Sequence, residues 1–210
     1  DKITKIHALA RDGRCKTFDT TADGYGRCEG VLVALMDKLE TGFRVVGSSV
    51  NHGGHTSGFT APNGPAQQRV IREAVHSHNV HSVVIHGTGT PLGDPIEMSS
   101  LSSVIPNVNT IAVKSYIGHL EGAAGLGGIL AITNSIDEIK LFATQHLRHL
   151  NGHLRNTRVN IHAQHKQSTF GLVSSTSSFG MSGVNAHCAL SYEQTAKKPK
   201  YRLLQNTYMC

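Results

Sequence analysis

Apolar positions in this chain gather in short runs. Stretches of four to eight residues rich in Val, Ile, Phe and Tyr fall at 30–36, 43–50, 82–85, 109–113, 169–174 and 185–192, with Gly, Asn, Ser and Pro between them. Those lengths and boundaries predict strands. The runs at 82–85 and 109–113 read as apolar on both faces, as expected of parallel strands covered on both sides. Three helices are predicted between the runs. Residues 65–78 place Ala66, Val70 and Ala74 on one stripe, with Pro65 near the first helical position. Residues 94–104 open with Asp94, Pro95 and Glu97, the pattern of an Asp N-cap, Pro at N1 and Glu at N3. Residues 122–136 (GAAGLGGILAITNSI) are small or apolar nearly all round, which predicts a buried helix whose glycines allow close approach. Residues 142–168, rich in His and Arg, predict no clear element, and the polar stretch beyond 193 reads as a linker or surface wrap. Strands alternating with helices predict an α/β domain, and no internal repeat is present.

Composition narrows the class. A length of 210 residues suits one well-buried domain, and 39% hydrophobic with 16% charged residues is the balance of a globular protein. No run of about 18 apolar residues is present, so the sequence predicts no membrane span. The first residues, DKITKIHALARDGR, lack an initiator Met and a signal-peptide core, and read as starting partway through a longer unit. The net charge of +6 comes from scattered cations plus a basic tail of Lys197, Lys198, Lys200 and Arg202. That is too diffuse for a nucleic-acid footprint, and no aromatic platform accompanies it. Cys15, Cys28, Cys188 and Cys210 are far apart and form no C-x-x-C pair, which predicts reduced thiols. Cys15 lies among Arg11, Arg14 and Lys16, which would favour its thiolate. Of fourteen histidines, His146, His149 and His153 would share one helical face. Without carboxylate or Cys ligands beside them they read as solvated surface groups, as do His76, His78, His162 and His165.

Two glycine-rich loops carry the candidate chemistry. One runs HGTGTPLGD over 86–94 and the other KSYIGHLEGAAG over 114–125; each follows a predicted strand and precedes a predicted helix. In an open α/β sheet, loops at the carboxyl ends of parallel strands line the ligand crevice. Each loop brings one histidine, His86 or His119. His119 precedes a helix N-terminus, whose dipole favours a neutral ring. Two neutral imidazoles can donate to the oxygen of a developing enolate, as decarboxylation or Claisen chemistry requires. Thr88 and Thr90 add hydroxyls for a polar, extended substrate arm. Asp94 and Glu97 read as helix caps.

Six blocks in order carry a resemblance: GRCKTFD (13–19), ADGYGR (22–27) with Glu29 and Gly30, GFTAPNGPAQ (58–67), HGTGTPLGDP (86–95), the 114–125 loop, and SSFGMSGVNAH (177–187). With them the chain resembles the β-ketoacyl synthase (ketosynthase) domains of polyketide and fatty acid synthases, from about residue 10 to about 192. That implies a thiolase-like layered α/β/α/β/α fold. The chain would supply the end of the N-terminal half (1–50) and the C-terminal half (51–192), with 193–210 a basic tail. It also implies an acyltransferase that joins a malonyl-type extender to an acyl group by decarboxylative Claisen condensation. His86 and His119 match the two catalytic histidines, and Lys114 the lysine supporting the second. Thr88 and Thr90 match the threonines that bond the phosphopantetheine arm of an acyl carrier protein. The Met181 N–H matches an oxyanion-hole donor, within a Phe179-Gly180-Met181 to Gly183 gate.

The nucleophilic Cys of the family belongs to a stretch preceding the 13–19 block, so the 210 residues alone are expected to be inactive in condensation. Gly128 stands where bacterial stand-alone members carry Glu, which resembles multidomain synthases. Gly53 replaces a common Asp, and Met181 a frequent aromatic. No cofactor is expected on the chain itself; phosphopantetheine arrives on the carrier protein. The implied partners are that protein, acyl and malonyl thioesters, the rest of the synthase and a second copy as a homodimer, with no nucleic acid or membrane. The implied compartment is the cytoplasm, or a plastid. Two other classes stay open: a non-catalytic ketosynthase-like scaffold or chain-length factor, and a nucleotide-binding oxidoreductase resting on Gly87 and Gly89, whose spacing misses G-x-G-x-x-G.

Overall fold

The computed structural model describes residues 8–36, 42–54, 61–135, 140–141, 143–164, 166–167 and 173–192. In chain order the elements are β1 (Phe43–His52), α1 (Gly64–Val75), β2 (Ser82–Val84), α2 (Gly93–Val104), β3 (Asn109–Ile111) and α3 (Lys114–Ile117). A 3₁₀ turn (Glu121–Ala123) leads into α4 (Ala124–Ser135), then β4 (Lys140–Leu141), a second 3₁₀ turn (Gly152–Leu154), β5 (Lys166–Gln167), β6 (Val173–Phe179) and β7 (Val184–Tyr192). Five strands form one sheet in the order β1-β7-β6-β2-β3. β2 is parallel to both β3 and β6, while β7 runs antiparallel to β6 and β1.

Successive side chains in β2 point to opposite faces and fill separate cores. Val83 packs with Val70, Ile71, Met98 and Leu101 under α1 and α2. Val84 packs with Ile111, Ile132 and Leu190 on the α4 side. The sheet is therefore covered on both faces, as its apolar parallel strands predict. Asn63 caps α1, its Oδ1 accepting the Ala66 N–H at 3.0 Å, and Pro65 follows where no amide is needed.

Several expectations need correction. Residues 30–36 form no strand: Val31, Val33 and Leu35 are each more than 90% exposed, with no ladder partner among the described residues. The α2 N-cap is Leu92 and makes no side-chain bond. Asp94 and Glu97 do not cap, because both carboxylates turn inward to amides of other segments. The glycine-rich helix is not buried all round, since Leu130 is 45% exposed and only one face meets the sheet. Residues 145–150, for which the sequence predicts no element, form turns and bends, so His146, His149 and His153 share no helical face. The buried Asp19 carboxylate takes the N–H groups of Arg148 and His149 at 2.7 and 2.8 Å, pinning that segment outside helical geometry. His146, His149 and His153 are exposed, and no metal-competent cluster occurs among the described residues. The strand expected at 169–174 is described from Val173 onward, and it extends to Phe179. Residues 58–60, His165, Cys210 and the 193–210 tail, with its lysines, lie outside the described residues. No described helix is long and apolar enough to cross a membrane.

Gly128 shows why α4 is glycine-rich. A β-carbon there would overlap Thr176 Oγ1 on β6 and come within 3.5 Å of Val84 Cγ1. Gly128→Ala is therefore expected to destabilise the domain by about 1–3 kcal/mol, the usual range for overpacking. A denaturant midpoint unchanged from wild type would show that α4 lifts off the sheet at no cost.

Candidate active site

Three neighbouring parallel strands end on the same side of the sheet. From β2 the chain passes through Ile85 to His86; from β3 it passes through α3 to His119; β6 ends at Phe179. Their rings converge. The imidazoles of His86 and His119 lie 5.3 Å apart, edge to face at 84°, and Phe179 is 5.8 Å from His86. Tyr25 packs against His119 at 4.9 Å, tilted by 51°. A cleft of about 880 Å³ opens over them, and its walls include Tyr25, His86, Thr88, Thr90, His119, Phe179 and Met181.

Buried carboxylates hold the first loop. Glu97 accepts the N–H groups of His86 and Gly87 at 2.7 and 2.8 Å. Asp94 accepts those of Phe18 and Gly89 at 2.9 and 3.1 Å. Thr17 Oγ1 donates to the Gly87 carbonyl at 2.8 Å. Gly89 has φ +78°, and a β-carbon there would press on the Lys16 amide 2.7 Å away, so only glycine fits this turn. The second loop is tied to 26–28 by backbone: His119 N–H donates to Gly26 O at 2.7 Å, and Cys28 N–H to His119 O at 2.9 Å.

The electrostatics favour uncharged rings. Burial holds His86 far below its ordinary pKa, with the nearby Lys114 and His119 adding to the effect. Burial and the Lys114 charge lower His119 to about 4. Its tautomer follows from one bond: the Glu121 N–H donates to His119 Nδ1 at 2.7 Å, so the ring proton sits on Nε2. Burial raises Asp94 to about 6 and pushes Glu97 upward as well, while lowering Lys114. Lys114 is 7% exposed and does not line the cleft; it sits behind the histidines.

Thr88 and Thr90 present hydroxyls 3.4 Å apart on the cleft wall, and Thr90 Oγ1 also accepts the Gly93 N–H at 3.2 Å. The loop from Gly180 to Gly183 joins β6 to β7 at the rim, closed by Gly180 N–H to Val184 O and Gly183 N–H to Gly180 O, at 2.6 and 2.9 Å. Met181 lies on it, 38% exposed, and its N–H has no partner among the described residues.

The described cysteines contribute nothing here. Cys15 is buried, accepts the Gly26 N–H at 3.3 Å, and has its pKa raised by burial. That reverses the thiolate expected from its basic neighbours in sequence. No cysteine among the described residues lines the cleft.

A family model described as β-ketoacyl synthase, C-terminal domain, matches residues 43–148, and one described as β-ketoacyl synthase, N-terminal domain, matches residues 1–42. The chain belongs to the β-ketoacyl synthase family. Curated relatives include a phenolphthiocerol/phthiocerol polyketide synthase protein of Mycobacterium tuberculosis, 37% identical over 87% of this chain and 9% of the relative. Another is erythronolide synthase EryA3 of Saccharopolyspora erythraea, 36% identical over 91% of this chain and 7% of the relative. Among solved structures, the ketosynthase from module 6 of the Bacillus subtilis bacillaene synthase aligns over 92% of this chain and 40% of its own, with 26% identity and a TM-score of 0.77. The oxazolomycin ketosynthase domain OzmH KS7 of Streptomyces albus aligns over 96% and 40%, with 25% identity and a TM-score of 0.79. The layered α/β architecture is thus that of thiolase-like ketosynthases. This chain spans less than a tenth of those polyketide synthases and about 40% of those ketosynthase chains.

Within this member of the β-ketoacyl synthase family, the sequence did not reveal the roles of Asp94, Glu97, Tyr25 and Glu121. A legible signal existed for the first two. Asp94 and Glu97 share the inward stripe of α2 with Met98 and Leu101, and a charge on a buried stripe needs a buried partner.

Proposed function

We propose that the cleft is the condensing site of a polyketide synthase ketosynthase, working on acyl and malonyl thioesters presented by an acyl carrier protein. The observation that carries this reading is the pair of neutral imidazoles 5.3 Å apart over one cleft. The malonyl-type thioester arrives on a phosphopantetheine arm that Thr88 and Thr90 hold by their hydroxyls. Its carboxylate leaves as CO2, and the electron pair of the broken C–C bond passes into the thioester to form an enolate. His119 donates its Nε2–H to the enolate oxygen, and His86 donates from the other side. Lys114 keeps both rings from taking a proton. The enolate carbon then attacks an acyl thioester on a Cys contributed by another segment of the synthase, because no described Cys lines the cleft. The Met181 N–H steadies the tetrahedral oxyanion, which collapses and expels the thiolate. The same reading carries a homodimer in the cytoplasm.

The test is release of labelled CO2 from malonyl carrier protein by the complete ketosynthase domain across pH. With His119 at about 4, the neutral donor persists under mild acid and is lost only as pH falls through that value. The rate is expected to show no histidine-like inflection near pH 6.5. A rate that halves near pH 6.5 and tracks loss of a neutral imidazole would contradict the mechanism.

A further inference from the structure

Glu121 is the odd residue beside His119. It has φ +49°, a left-handed conformation that a residue with a β-carbon adopts only when its surroundings impose it. Its N–H is the group that donates to His119 Nδ1 at 2.7 Å. Its carboxylate is held from two directions: Glu121 Oε1 accepts the Arg27 Nε–H at 3.0 Å and the Tyr25 hydroxyl at 3.3 Å. Tyr25 also packs against the His119 ring, tilted by 51° at 4.9 Å, and the backbone on either side of Arg27 pairs with His119, through Gly26 O and the Cys28 N–H. The two residues that hold the Glu121 carboxylate are thus themselves anchored beside His119.

The φ torsion of Glu121 sets the angle between the peptide plane that carries its N–H and the rest of the residue. Fixing the carboxylate to Arg27 and Tyr25 therefore fixes where that N–H points. We propose that Glu121 is a positioning residue: clamped by Arg27 and Tyr25 in a strained turn, it aims its amide at His119 Nδ1 and locks the ring as the Nε2–H donor. The clamp acts through His119; Glu121 and Tyr25 also line the cleft, and the ring tautomer separates positioning from any contact with substrate. The inference rests on the reading of His119 as an enolate donor.

Glycine provides the discriminating variant, because it takes positive φ without a clamp and keeps the amide. In the complete ketosynthase domain, Glu121→Ala is expected to lower kcat for malonyl decarboxylation about tenfold with KM nearly unchanged, the split of a group felt in the transition state. Glu121→Gly is expected to recover to within about threefold of wild type, because it removes the need for the clamp. Arg27→Gln, which keeps Glu121 but removes its ion pair, is expected to fall between them. The ¹⁵N shifts of His119 give a readout independent of turnover: Nε2–H alone in wild type and Glu121→Gly, and mixed tautomers in Glu121→Ala. Glu121→Ala with wild-type kcat and a single tautomer would overturn the proposal, as would Glu121→Gly no better than Glu121→Ala. Should Glu121→Ala fail to fold, the same shifts in Arg27→Gln decide, and a pure Nε2–H signal there counts against the clamp. His119→Ala serves as the control: if it leaves decarboxylation unchanged, the role of His119 itself fails. If it abolishes decarboxylation while the Glu121 series is flat, only the clamp fails.

Discussion

His119→Ala in the complete ketosynthase domain is expected to slow malonyl decarboxylation by about 10²- to 10³-fold while leaving KM close to wild type. The ring is one of two neutral donors facing each other across 5.3 Å, and its tautomer is fixed by the Glu121 amide. Alanine removes the Nε2–H that would meet the growing negative charge on the enolate oxygen. It leaves Thr88 and Thr90, and hence the hold on the substrate arm, in place. A donor that strengthens only as charge develops acts on kcat, so the two constants should separate. His86→Ala is expected to cost a similar factor. The double variant should lose less than the product of the two, since both rings serve one oxygen. Labelled CO2 release under saturating malonyl carrier protein gives these numbers. A threefold effect or smaller at either position would reassign that histidine to packing.

The second large effect concerns stability. Glu97→Leu is expected to destabilise the domain by about 2–5 kcal/mol, the cost of leaving two amides without an acceptor at about 1–3 kcal/mol each. Glu97 accepts the amides of His86 and Gly87, and Lys114 is near enough to interact with its carboxyl, as with that of Asp94. Leucine matches its bulk roughly but leaves both N–H groups without an acceptor and removes one of the carboxyls around the buried ammonium. The denaturant midpoint should fall with the slope unchanged. The double variant Glu97→Leu with Lys114→Met is expected to recover part of the loss, because it removes a buried cation that has lost one of its neighbouring carboxyls. A single variant as stable as wild type would mean the His86 loop holds itself.

How much of this was legible in the residues depends on what fixed each part. The parallel strands β2 and β3 and the helix after Pro65 are local: their apolar runs and turn residues suffice. The meeting of His86 and His119 follows from topology, since loops at the carboxyl ends of adjacent parallel strands must share a crevice. Long-range partners decide the rest. Residues 30–36 have strand composition but no ladder among the described residues, and a strand is defined by its neighbour. Asp94 and Glu97 fit a capping pattern at the start of α2. A cap differs from an inward carboxylate only in where its partner amide lies, and here those amides belong to residues 18, 86, 87 and 89. Cys15 shows the same failure from the electrostatic side. Its basic neighbours in sequence suggest a thiolate, while burial sets its chemistry.

The most direct test is a crystal structure of the complete ketosynthase domain bound to a stable malonyl thioester analogue. The thioester carbonyl oxygen is expected between the two rings, within about 3 Å of a donor nitrogen on each, the distance of an N–H···O bond. An analogue seated in the cleft with its carbonyl turned away from both His86 and His119 would refute the two-donor mechanism.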